Sequence, residues 1–133
     1  MTNKSKKILS EISFGELLDK ISILEIKLNK IKNKSNLQEI NKEYKILIKA
    51  KKKNIRSLVK INHLYKNLKR VNLSLWNIED NIRICEKNKS FGQNFIKLAR
   101  DVYLNNDKRA SIKSEINKVL GSNIKEIKQY VTY

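Results

Sequence analysis

The sequence predicts an all-α fold: an antiparallel bundle, or a set of long helical hairpins, of about four helices with a short irregular C-terminal tail. Three observations carry this. The chain of 133 residues has no proline and only three glycines, so little interrupts a helix, and strands would need more turn punctuation than is present. Apolar residues recur at alternating spacings of three and four over long stretches, the period of a helix face turned to a core. Two segments also open with a serine followed three residues later by Glu or Gln, a helix-start signature.

Residues 1–10 form a frayed basic end and residues 11–133 a single helical domain. The first helix, 13–33, opens at Ser13, whose side chain accepts from the first turn while Glu16 reaches back. Phe14, Leu17, Ile21, Leu24, Leu28 and Ile31 form its seam. The Asn33–Asn36 stretch turns the chain. The second helix, 36–52, starts at Asn36 with Glu39 as capping partner, and its seam is Leu37, Ile40, Tyr44 and Leu47. The lysine-rich segment 49–54 reads as a solvated bend, although nothing in it forbids a continuous rod into the third helix.

The third helix, 57–88, carries two stripes. Ile61, Leu64, Leu68, Val71, Leu75, Ile78, Ile82 and Cys85 make an apolar seam, and Asn72, Trp76, Glu79, Arg83 and Glu86 make a polar stripe beside it. Ser90-Phe91-Gly92-Gln93 then repeats the Ser13-Phe14-Gly15-Glu16 pattern. Each phenylalanine is expected to plug the bundle where its helix enters, and each glycine to admit a neighbouring backbone. The fourth helix, 91–120, has Phe95, Leu98, Val102, Ile112, Ile116 and Val119 on its seam. A kink is open at Asn105–Asp107, and Gly121 is a stop signal. Ile124, Ile127, Tyr130 and Tyr133 follow in a polar tail suited to pack back on the bundle.

The net charge is +17, which points to polyanions: nucleic acid or an anionic membrane surface. Lys49, Lys51, Lys52 and Lys53 are the densest local patch. Two features argue against a specific nucleic-acid role. Lysine outnumbers arginine 25 to 5, whereas phosphate and base-edge recognition favours the arginine fork. The excess is also spread out, +10 over residues 1–60 and +7 over residues 61–133. No apolar run approaches the roughly 18 residues of a membrane span, and the first residues lack the apolar core of a secretory signal. The expected location is cytoplasmic. Cys85 stands alone on the seam and reads as a packed core thiol.

No catalytic motif, metal-ligand spacing or cofactor loop appears, and His63, the single histidine, falls away from the seam. No catalytic residue, metal ligand or cofactor is therefore expected. The remaining chemistry lies in polar groups beside the core. Helix one offers Asp19, Lys20, Glu25 and Lys27, and helix four offers Arg100, Tyr103, Asn106, Asp107, Arg109 and Lys113. Two readings stand together. In one, these groups form interhelical salt bridges that set register. In the other, they line a groove made by Glu25, Asn72, Trp76, Glu79, Arg83, Arg100, Tyr103, Asn106, Asp107 and Arg109, with a tryptophan wall and an Arg100/Arg109 anion clamp. Such a groove suits a sugar, nucleotide or phosphate ligand.

Three stretches, ISFGELLDKISILEIK (12–27), LWNIED (75–80) and FGQNFIKLARDVYLNNDKRASIKSEIN (91–117), resemble a small bacterial family without an assigned reaction. Its members share FGELLDK, LEIK, LWxIED and FGxxFxxLARxVYxxND. The resemblance covers roughly residues 11–130 and is weakest over 36–57. Related segments occur beside, or attached to, glycosyltransferase-like proteins of surface polysaccharide or lipopolysaccharide, so the resemblance implies a surface-glycan context and names no catalytic residue. The expected function is a non-catalytic binding or adaptor module with a protein partner or a small phosphorylated or sugar ligand. The alternatives are an enzyme on a nucleotide sugar or phosphorylated saccharide, with Glu25 or Glu79 as base, and lysine-mediated binding of a polyanion, including peripheral membrane contact. The seams can close within one chain or across a homodimer.

Overall fold

The computed structural model describes residues 5–133, so the basic end expected over residues 1–10 lies partly outside the described residues. Four helices follow one another: α1 (Phe14–Lys30), α2 (Lys34–Asn54), α3 (Val59–Lys87) and α4 (Gln93–Leu120). Residues 5–13 and the segment after Gly121 carry no regular structure.

The α1 start is held by more than its cap. Ser13 Oγ accepts from the Glu16 N–H at 3.1 Å, as the sequence predicts. The Glu16 carboxylate does not reach back, however; it bonds Lys113 on α4. The Phe14 N–H donates to Ser122 Oγ at 3.1 Å, and the Gly15 N–H donates to Asn117 Oδ1 at 2.7 Å. First-turn donors that have no partner within a helix are thus satisfied from the far end of α4. A Cβ at Gly15 would lie 2.7 Å from the Lys113 carbonyl oxygen, so here glycine sets the distance between α1 and α4.

The other boundaries depart from the sequence reading. Helix α2 begins at Lys34 because Asn33, not Asn36, is the cap; its Oδ1 accepts from the Asn36 N–H. The expected bend at 49–54 is absent. Lysine and alanine favour helix, and Lys51, Lys52 and Lys53 fill the last turn, where cations offset the dipole. The chain breaks afterwards, at 55–58, so α2 and α3 are separate helices, and Ser57 does not cap α3. The second serine device fails as well. Ser90 is engaged in closing α3: its N–H donates to Cys85 O at 2.9 Å while Lys89 takes a left-handed conformation at φ 52°. Gly92 caps α4 without a side-chain bond, no atom approaches its Cβ position, and Phe91 is half-exposed, stacked edge-on against Phe95 rather than plugging the bundle. Helix α4 runs through Asn105–Asp107 unbroken, and Gly121 ends it in the left-handed conformation, as expected.

Helix α1 is the central element, touching α2, α3 and α4. It runs antiparallel to α4, with Gly15 beside Asn117 and Asp19 beside Arg109, and α4 runs antiparallel to α3, with Lys60 beside Glu115 and Cys85 beside Asn94. The main core joins Leu17, Leu18 and Ile21 to Ile61, Leu68 and Ile116; Tyr44, Leu47 and Ile48 of α2 cover it, although α2 buries no residue fully. A smaller cluster of Ile78, Cys85 and Leu98 lies between α3 and α4 alone. The lengths explain the two clusters. At 1.5 Å per residue the 29 residues of α3 extend well beyond the 17 of α1, so the distal α3–α4 hairpin overhangs the bundle.

Candidate functional site

The buried polar centre is Asp19, only 1% exposed. It is placed there by a second stripe on α1, Gly15, Asp19, Ser22 and Ile26, at spacings of four, three and four, all buried. Arg109 holds it with two nitrogens, Nε 2.9 Å from Oδ1 and Nη2 on Oδ2. Asn72 of α3 donates to Asp19 Oδ1 at 2.8 Å and to Ser22 Oγ at 2.7 Å. Lys113 approaches Asp19 at 3.7 Å and bonds Glu16 at 2.9 Å and Glu126 of the tail at 2.8 Å. Hydrogen bonding to Asp19 raises the Arg109 pKa above its usual value against the opposing effect of burial. For Lys113 burial is the largest influence and pulls downward, but the hydrogen bonds it donates to Glu126 and Glu16 and the charge of Asp19 outweigh it, so the net shift is upward. This network clamps α1, α3 and α4 in one register.

Beside the clamp lies a groove of about 520 Å³, within the range of small-ligand sites. Ile23 and Ile26 form its α1 edge, Asn106 and Arg109 its α4 edge, and Leu75, Trp76, Glu79, Asp80 and Arg83 its α3 wall. Glu79 and Arg83 are paired with each other one turn apart, and Arg83 Nη1 also donates to the Glu79 carbonyl at 3.1 Å. On the other side of Arg109 the C-terminal segment lies over α4. Lys128 pairs with Asp107 at 3.1 Å, the Tyr133 hydroxyl donates to Asp107, and the Tyr133 ring meets Tyr103 edge-on. Clefts of about 610 and 1000 Å³ lie between this segment and the bundle. Arg109 borders both the Trp76 groove and the smaller cleft.

Of the ten groove residues expected from the sequence, Asn72, Trp76, Glu79, Arg83, Asn106 and Arg109 line one groove. Tyr103 and Asp107 line the tail cleft instead. Glu25 belongs elsewhere, between Tyr44 of α2, at 3.4 Å, and Lys69 of α3, at 3.8 Å. The Tyr44 hydroxyl is raised there, by burial first and Glu25 second. The Arg100/Arg109 clamp does not form: nine residues on a helix amount to half a turn beyond whole turns, and Arg100 is exposed away from the groove lining while Arg109 faces Asp19. Lys49, Lys52 and Lys53 are exposed, and Lys51 sits over the Tyr65 ring at 5.1 Å. Sequence reasoning placed Asp19 among core-edge polar groups yet outside the groove set, and overlooked the reach of Glu126. The Gly15–Asp19–Ser22–Ile26 stripe was the available signal for Asp19; nothing local announces Glu126. His63 is exposed, with Asn67 Nδ2 3.4 Å away, and Cys85 is a free, buried core thiol.

Residues 8–133 match the model of a family of unknown function, DUF6165. The chain belongs to the DUF6165 family. The DUF6165 match takes in the whole bundle, the Asp19 clamp, the Trp76 groove and the tail. No curated protein and no solved structure matches the chain. Among the described residues no helix is long and apolar enough to cross a membrane.

Proposed function

We propose that this chain is a non-catalytic helical binding module whose ligand seat is the groove of Trp76, Glu79, Arg83, Asn106 and Arg109. The observation that carries the reading is the state of Arg109: two of its nitrogens are fixed on buried Asp19, yet the residue borders an open groove walled by a tryptophan. A cation pre-oriented in this way, beside an indole and amide and carboxylate groups, suits a saccharide carrying a phosphate. The ring face packs on Trp76, hydroxyls bond Glu79 and Asn106, and the anion meets Arg83 or Arg109. The surface-glycan context implied by the sequence resemblance agrees with such a ligand.

The carboxylates support binding over catalysis. Asp19 is engaged by Arg109, Asn72 and Lys113, Glu79 by Arg83, and Glu25 stands outside the groove; Asp80, the remaining carboxylate of the lining, is exposed, and that lining holds no histidine and no acid besides it other than the Arg83-paired Glu79. The lysine-mediated alternative draws on an exposed cluster that already serves the end of α2.

The test is a thermal-shift panel of nucleotide sugars and sugar phosphates at two salt concentrations, on the wild type and Trp76→Ala. A native-state ligand raises Tm by mass action. The expected result is a shift in the wild type that survives high salt and is lost in Trp76→Ala. No shift across the panel sinks the reading, and shifts with any polyanion that vanish in salt transfer it to the lysines.

A further inference from the structure

The C-terminal segment closes over Lys113, and the manner of its attachment has a consequence for ligand entry. The Lys113 side chain is 8% exposed and ringed by three carboxylates. Two of them, Glu16 and Asp19, are built into α1 and cannot leave while the bundle is folded. The third, Glu126, arrives from a segment without regular structure and is half-exposed. That segment buries little of its own: Ile127, Tyr130 and Val131 are 86%, 78% and 90% exposed. Its attachment therefore rests on Glu126–Lys113, Asp107 with Lys128 and Tyr133, the Tyr103–Tyr133 edge contact, and Asn123 on Glu11. Partly exposed ion pairs of this kind hold weakly.

We propose that Lys113 and Arg109 form a phosphate seat that the chain plugs with its own Glu126, and that a phosphate group enters by displacing residues 123–133. Glu126 fills the seat imperfectly. Its carboxylate bonds Lys113 at 2.8 Å and makes no hydrogen bond to Arg109, although both cations border the same cleft of about 610 Å³. A phosphate has more acceptor oxygens and can bridge the two. Releasing Glu126 also removes one of the three carboxylates around Lys113, while Glu16 and Asp19 stay paired with Lys113 and Arg109. The Arg109 border shared with the Trp76 groove makes this a second site adjoining the proposed ligand seat, and it stands or falls separately.

The experiment is an NMR titration of the full chain with inorganic phosphate at fixed ionic strength, on the wild type, Glu126→Gln and Glu115→Gln. The last makes the same charge change two residues from Lys113 but on another face of α4, at an exposed pair with Lys60. Glu126→Gln is expected to bind phosphate about tenfold tighter than either of the others, the weight of one charge-assisted hydrogen bond after screening. Shift changes should concentrate at residues 109–113, and saturating phosphate should free residues 123–133 of the wild type to ns motion. Equal gains in the two variants, changes scattered over the lysine surface, or a tail that stays docked at saturation would each overturn the proposal. None of these outcomes touches the Trp76 groove, whose test depends on Trp76→Ala.

Discussion

Arg109 on α4 grips Asp19 on α1 through two parallel hydrogen bonds, across ninety residues of chain, with the carboxylate 1% exposed. Removing one partner of such a buried pair leaves the other uncompensated, at a cost of about 3–5 kcal/mol. Asp19→Asn preserves shape and loses the charge, so Arg109 and Lys113 both lack it. Its Tm is expected to fall by roughly 10 °C or more for a domain of this size. Calorimetry checks this, and a drop of only a degree or two would mean that the clamp contributes nothing to stability.

Gly15 meets the Lys113 carbonyl where a Cβ would be 2.7 Å away and the Lys113 Cα 3.1 Å away. Both are backbone atoms of a helix, so neither can swing aside. Gly15→Ala is expected to push α1 off α4 and cost about 1–3 kcal/mol, despite the better helix propensity of alanine. Gly92→Ala is the control, since nothing lies near that position. Urea midpoints of the two variants should separate clearly; equal midpoints would refute the close-approach account.

Lys89 holds φ 52° to close α3, a conformation that strains a residue with a Cβ. Lys89→Gly is therefore expected to stabilise the protein by about 1 kcal/mol, seen as a raised denaturation midpoint. Lys89 also pairs with Glu86 at 3.4 Å, but that contact is exposed and its loss subtracts little.

Attachment of the tail depends on pH in a defined direction. The Tyr133 hydroxyl bond, then Lys128, lowers the Asp107 pKa, so its contribution is present above the ordinary carboxylate range and lost as pH falls through the lowered value. The bond to Asp107 raises the Tyr133 pKa, so its contribution is present below the ordinary phenol value and lost as pH rises through the raised one. The heteronuclear NOE of residues 128–133 should stay high between those limits and fall at both. A fall that already begins at mildly acidic pH would exclude Asp107 as the anchor.

Glu79 and Trp76 separate binding from folding. The Glu79–Arg83 pair is exposed and lies within one helix, so Glu79→Ala should change stability by no more than about 0.5 kcal/mol. Under the proposed function the same substitution removes the ligand-induced thermal shift. A large loss of Tm with an unchanged shift per folded molecule would make the stripe a structural one.

Much of the bundle was legible along the chain. The α3 seam from Ile61 to Cys85 turns inward as its spacing requires, Ser13 caps α1 and Gly121 stops α4. Two of the misreadings concern helix starts. Ser90 lies two residues before the α4 cap, Gly92, and its N–H closes α3, while Glu16 pairs with Lys113 instead of completing its own cap.

By itself the sequence determined that the chain is helical, where most apolar seams lie and that Trp76, Glu79 and Arg83 share a stripe, because a helix repeats at a fixed angle per residue and that angle is local information. Only the tertiary structure decided which polar residues meet. Asp19 joins Arg109 and Lys113 while Glu25 and Arg100 point elsewhere, because the register and rotation of one helix against another depend on close approaches such as Gly15 on Lys113. The groove has the same origin: it lies beside the end of a helix shorter than the pair it packs on, a difference in length that has meaning only once the three are aligned.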